Sequence, residues 1–169
     1  PFGLVMIADD GAFQYVNPKF QEIFGYALKD VPNGKEWFTK AYPDSEYRRE
    51  VIRTWLEDAK EAKPGEPRPR TFIVTCKDGS RKTIHFMSVQ LDKGQDLVAC
   101  EDVTELRRSE EALRQSENKL RDIVEHSTNL FYSHRANHML TYVSPQTRQF
   151  LDCEPEEALV RWTEFATDN

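Results

Sequence analysis

No stretch of this 169-residue chain approaches the ~20 consecutive apolar residues that a bilayer-crossing helix needs. The first residues also lack the basic start and apolar core of a signal peptide, so no membrane contact is expected of these residues. Cysteine is scarce: Cys76, Cys100 and Cys153 are odd in number and widely spaced. That pattern supports neither a disulfide framework nor a zinc site and points to reduced thiols in a cytoplasmic setting. Positive charge is not in excess either. The 23 Lys and Arg against 29 Asp and Glu give a formal charge of −6 with no basic stripe, so nucleic acid is not an expected partner. Catalytic signatures are missing too: there is no Gly-rich phosphate loop, no Gly-x-Ser-x-Gly elbow and no metal-binding helix. Glu110-Glu111 and Glu156-Glu157 are adjacent on helical segments and point different ways, as a solvated face requires. His85 falls at a half-exposed strand position, and His134 and His138, four apart in a hairpin turn, do not converge on a metal as they would on a helix. The expectation is a non-enzymatic fragment without a metal.

What the chain does have is a core. Apolar residues make up 38%, and ten Phe, six Tyr and three Trp supply enough bulk to pack one domain of ordinary size. Gly3 to Ala8 and Ala12 to Val16 flank the turn signal Asp9-Asp10-Gly11, which predicts a hairpin. Asn17-Pro18 is a helix start, because the Asn side chain accepts a bond from an orphan amide and Pro at the first helical position loses none. Phe20, Ile23 and Phe24 share a face of that helix, and Gly25 ends it. Short helical turns are expected between Leu28 and Tyr42, and the longest helix of the domain from Ser45 to Ala62. Three strands follow, at Thr71 to Cys76, Lys82 to Leu91 and Asp96 to Glu101, joined by Asp78-Gly79 and Asp92-Lys93-Gly94. Two strands, helices and three further strands describe an α+β domain with a five-stranded antiparallel sheet and helices on one face.

From Val103 to about Glu125 the chain contains no Gly or Pro. Leu106, Leu113 and Leu120 lie seven apart, with Ser109, Ser116 and Ile123 offset by three, marking the seam of a long helix softened by two serines. A solvated helix with a single core-facing stripe remains the other reading. Beyond it the sequence repeats itself at an offset of 127 residues, from Tyr15 to Tyr142. Tyr15-Val16-Asn17-Pro18 returns as Tyr142-Val143-Ser144-Pro145, Leu4-Val5 lies opposite Phe131-Tyr132, and Ile23-Phe24 opposite Phe150-Leu151. Ser for Asn exchanges two helix-capping residues. With a two-residue shift Trp37 lies opposite Trp162, and Pro43-Asp44 opposite Asp168-Asn169. The chain is expected to extend before Pro1, which is not a natural start, and the second copy reaches only the equivalent of about residue 44 of the first.

These residues resemble the PAS family of sensor domains. The run Tyr15-Val16-Asn17-Pro18-x-Phe20-x-x-Ile23-Phe24-Gly25-Tyr26 is similar to the family's second strand and first helix, often "xVNxAFxxxxGY". Thr75-Cys76-Lys77-Asp78-Gly79-Ser80 resembles its late hairpin, and Glu101-Asp102-Val103-Thr104-Glu105 resembles the "D-I-T-E" element that leads into a signalling helix. The resemblance implies a PAS domain at 1–102, a signalling or coiled-coil linker helix at 103–127, and the start of a second PAS domain at 128–169. It further implies a sensory and relay module that dimerises through the linker helix and acts on an effector in the same chain. A histidine kinase of a two-component phosphorelay is the first choice. A cyclic-dinucleotide cyclase or phosphodiesterase, or a ligand-free dimerisation scaffold, are the alternatives.

The cofactor is left unknown. Light-active flavin is not expected, because no segment resembles the Cys-bearing helix that would reach the ring, and haem is not expected, because Ser45 to Ala62 holds no axial His. Nor does His126 resemble a phospho-acceptor, since Ser127-Thr128-Asn129 follows it. Candidate ligand contacts are Phe20, Ile23, Phe24, Trp37, Tyr42, Trp55, Phe72 and Phe86, with a filled aromatic core as the other reading of the same residues. Asp102 and Thr104, with Leu106, Leu113 and Leu120, are the candidate relay, set against an ordinary helix cap.

Overall fold

The computed structural model describes residues 2–61, 63–91, 94–136 and 139–160. Predictions resting on Ala62, Asp92, Lys93, His138, Trp162, Asp168 and Asn169 lie outside them. The chain divides into two compact units, Pro1–Ser109 and Glu110–Asn169.

The first unit opens with strands β1 (Gly3–Ile7) and β2 (Phe13–Val16), joined where Gly11 adopts a φ of 81° and donates to the Ala8 carbonyl. Helix α1 (Pro18–Phe24) starts as expected on Asn17, whose Oδ1 accepts from Phe20 N at 2.8 Å. The same oxygen accepts from Leu4 N at 2.8 Å, and Asn17 Nδ2 donates to the Phe2 carbonyl, so one side chain fixes both the helix start and its seat against β1. Gly25 ends α1 at a φ of 74°, where a Cβ would stand 3.1 Å from Lys77 Cβ. Helices α2 (Gly34–Ala41) and α3 (Ser45–Lys60) are capped by Asn33 and Asp44 through their side-chain oxygens.

Strands β3 (Arg68–Thr75), β4 (Arg81–Gln90) and β5 (Asp96–Asp102) complete an antiparallel sheet of order β2-β1-β5-β4-β3. The expected α+β class and five-stranded sheet are present. Strand β3 begins three residues before the predicted Thr71 and takes in Pro69. Its place at the sheet edge explains this, because an edge residue needs no ladder donor on its open side. The core face carries Phe86, Ile84, Val98, Cys100 and Val74 under the helices, and Tyr42, Phe20, Phe24 and Val51 pack down on them. The other face keeps Met87 and Ile73 exposed, and His85 sits there half-buried, sharing a hydrogen with Thr71. Helix α4 (Thr104–Glu125) follows β5 directly.

Within the second unit, β6 (Tyr132–His134) and β7 (Leu140–Val143) form a hairpin. Its register repeats that of β1 and β2 at the offset found in the sequence. Val5 pairs with Val16 and Tyr132 with Val143; both ladders then slip at the same point, giving Ile7 with Phe13 and His134 with Leu140. The tie to the strand is repeated as well: Ser144 Oγ accepts from Phe131 N at 3.0 Å, as Asn17 accepts from Leu4. The expected cap is not. Helix α5 (Thr147–Phe150) has no side-chain cap, and Thr147 N donates to the Ser144 carbonyl instead. The short serine side chain serves the strand amide but does not also serve the helix. Asp152, the counterpart of Gly25, holds a φ of 53°, a left-handed conformation that Asp tolerates better than most residues. Gln146 Nε2 sits 2.8 Å from both the Val124 and Ser127 carbonyls, closing the end of α4.

Candidate functional site: a cavity and a helix junction in the first unit

Between the sheet and its helices lies a cavity of about 390 Å³, within the ~300–1,000 Å³ range of small-molecule sites. Its walls are largely apolar: Val5 and Ile7 of β1, Phe20 of α1, Trp37 and Phe38 of α2, Trp55 and Leu56 of α3, Phe86 of β4, and Val98 and Cys100 of β5. Arg68, Ser88 and Asp96 add polar groups. Of the eight aromatic and aliphatic candidates, the structure places Phe20, Trp37, Trp55 and Phe86 on the cavity wall. Ile23, Phe24 and Tyr42 are buried away from it, and Phe72 packs behind Trp55 and Phe86, 6.2 Å from each ring. Trp37 is the hinge of this aromatic set, meeting Phe20, Phe24, Tyr26 and Tyr42 with centroids 5.0 to 6.5 Å apart.

Arg68 and Ser88 were not legible in the sequence. They face each other across β3 and β4, and their residue types signal surface, not cavity wall. Arg68 Nη2 pairs with Asp96 Oδ1 at 3.0 Å and its Nη1 donates to the Asp58 carbonyl. Ser88 is 2% exposed, and its Oγ has no partner. Burial pushes the Cys100 thiol well above its ordinary range, and Cys76 upward as well, so both remain neutral and neither offers a thiolate. Among the described residues no cluster of three or more His, Cys, Asp or Glu could hold a metal ion, and no helix is long and apolar enough to cross a membrane.

The second part of the site is the junction of β5 with α4. Asp102 Oδ1 accepts from both the amide of Thr104, at 3.1 Å, and its hydroxyl, at 2.5 Å. Thr104 Oγ1 in turn accepts from Thr83 N on β4, while Val103 N donates to the Thr83 carbonyl. Lys82, which the sequence offered only as the start of a strand, extends the junction. Its ammonium lies 3.1 Å from Asp102 Oδ2 and 3.0 Å from the Ile23 carbonyl in the last turn of α1, which also accepts from Cys76 Sγ. Burial raises the Asp102 carboxyl, but the Thr104 hydroxyl and amide and the Lys82 ammonium outweigh it and hold the group below the usual carboxylate range. A continuous polar chain thus links α1, β4, β5 and the start of α4. Along α4 no residue is buried, and Leu106, Leu113 and Leu120 are each about 60% exposed.

Residues 1–60 match the family model described as PAS domain. No curated protein matches the chain. Among solved structures, the chain is similar to the N-terminal domain of a diguanylate cyclase with PAS/PAC sensor from Marinobacter aquaeolei, at 16% identity over 63% of this chain and 99% of that one, with a TM-score of 0.53. It is also similar to a sensory box histidine kinase/response regulator from Burkholderia thailandensis, at 24% identity over 72% of this chain and 91% of that one, with a TM-score of 0.52. At these identities the structures speak to the fold alone: the first unit has the PAS fold, and its residues 1–60 match the family model of that name.

Proposed function

We propose that the first unit is a sensory module, in which a small molecule occupies the cavity and the β5–α4 junction passes its presence on. One observation carries this reading. Strand β5 lines the cavity with Asp96, Val98 and Cys100 and, two residues further on, supplies Asp102, which holds the first turn of α4. A ligand that moves β5 or α1 therefore acts on both ends of the Lys82–Asp102 pair. The exposed leucine stripe of α4 pairs with a second copy of the chain, giving the helix a partner against which its orientation is read. The second unit is the opening of a second PAS domain, supported by the repeated register and the repeated Ser144 tie. The effector is a histidine kinase elsewhere in the same protein, a choice supported by the named relative from Burkholderia thailandensis. The module performs no catalysis of its own and works in the cytoplasm.

Native mass spectrometry of the purified chain tests the sensory reading. A retained small molecule, lost when Phe86→Trp fills the cavity, is the expected result. A chain of bare protein mass that also fails to take up any added apolar compound would leave only the dimerisation scaffold.

A further inference from the structure

Three hydrogen-bond donors on the cavity wall have nothing to donate to. Trp55 Nε1, Arg68 Nε and Ser88 Oγ are buried without a partner, and all three residues line the same cavity. Indole and guanidinium nitrogens are donors only, so they cannot satisfy one another, and buried donors left unpaired are costly. Arg68 and Ser88 stand directly opposite each other on β3 and β4, and Trp55 packs against Phe86, two residues before Ser88, at 5.8 Å between rings. The Tyr42 hydroxyl and Asp58 Oδ2 are unpartnered too, but neither residue lines the cavity.

Charge narrows the chemistry. Among the described residues the cation on the wall is Arg68, already matched by Asp96 at 3.0 Å, and Asp9 adds a further carboxylate at the exposed rim. Among the described lining residues an anion finds no free positive charge, and a cation brings no acceptor for the three donors. We infer that the cavity takes an uncharged, mainly apolar molecule that carries a carbonyl-type oxygen, with that oxygen accepting from the donors of Trp55, Arg68 and Ser88 while its body packs on Phe20, Trp37 and Phe86. This rests on the sensory reading of the same cavity.

Three probes of one shape separate the possibilities when titrated calorimetrically into the full chain at neutral pH: 2-acetylnaphthalene, its oxygen-free isostere 2-isopropenylnaphthalene, and 2-naphthoate. The ketone binds about tenfold more tightly than the alkene, the factor that corresponds to about 1.4 kcal/mol. Ser88→Ala, which removes one hydroxyl and almost no volume, reduces the ketone affinity several-fold and the alkene affinity far less. Equal affinity for ketone and alkene overturns the acceptor requirement while sparing the sensory reading. Tightest binding of naphthoate overturns the uncharged ligand, and no binding by any of the three overturns both this inference and the reading beneath it.

Discussion

At Asp102 a single carboxylate serves a helix start, a hydroxyl and an ammonium. Removing it as Asp102→Ala costs about 1 kcal/mol of folding stability, the usual worth of a cap, measured by urea unfolding. Because the folded protein holds this carboxyl below its ordinary range, the group stabilises the fold when ionised. That contribution is present above its unfolded value of about 4 and is lost as pH falls through the lower folded value. The gap between wild type and Asp102→Ala is therefore widest near pH 7 and closes toward pH 3; a gap independent of pH would assign the effect to packing alone. Lys82→Met tests the longer chain, since it cuts the link to the Ile23 carbonyl but keeps the stem. Asp102→Ala and Lys82→Met together should destabilise less than their sum, by about 0.5 kcal/mol or more, whereas strict additivity would show that the pair is not coupled.

At the scale of elements, those that announce themselves by local chemistry were legible. Asn17-Pro18, Gly25 and the Asp9-Asp10-Gly11 turn each place a boundary by a short-range mechanism, and the structure puts α1 and the first hairpin where they say. Less legible were features fixed by distant partners. The extension of β3 through Pro69 depends on its edge position, and the cavity role of Ser88 depends on Arg68 opposite. Lys82 is drawn to the end of α1, 59 residues away in the chain. Helix α4 was legible throughout, and its stripe makes a prediction about association. On the proposed pairing Leu113, 61% exposed in the single chain, becomes buried, and Leu113→Lys is expected to abolish self-association in sedimentation equilibrium. Ser116→Leu extends the apolar seam and is expected to tighten it by about two orders of magnitude or more, since each of the two copies buries a leucine contributing roughly 1.5–3 kcal/mol. A wild-type chain that stays monomeric at high micromolar concentration, unaltered by either change, sinks the paired helix.

The molecule as a whole is unequal in its two units. Among the described residues, eighteen buried ones make a continuous core in the first, spanning all five strands and three helices, whereas the second buries a cluster of Val143, Cys153 and Ala158. A two-stranded hairpin is marginal by itself, since three or more strands or a packed helix are needed for independent stability. The register of β6 and β7 repeats that of β1 and β2, down to the slip beside His134. In the first unit β1 pairs with β5 as well as β2, whereas among the described residues of the second β6 and β7 pair with each other. Amide hydrogen exchange separates the two directly. Amides of β4 and β5, bonded on both sides at the sheet centre, exchange only through global unfolding, while those of β6 and β7 exchange through local opening, faster by two orders of magnitude or more. Truncation after Ser127 then leaves the thermal midpoint of the first unit within about 2 °C of the full chain. A midpoint that falls further, or β7 amides as slow as those of β5, would mean that the second unit has a core of its own and adds to the stability of the whole.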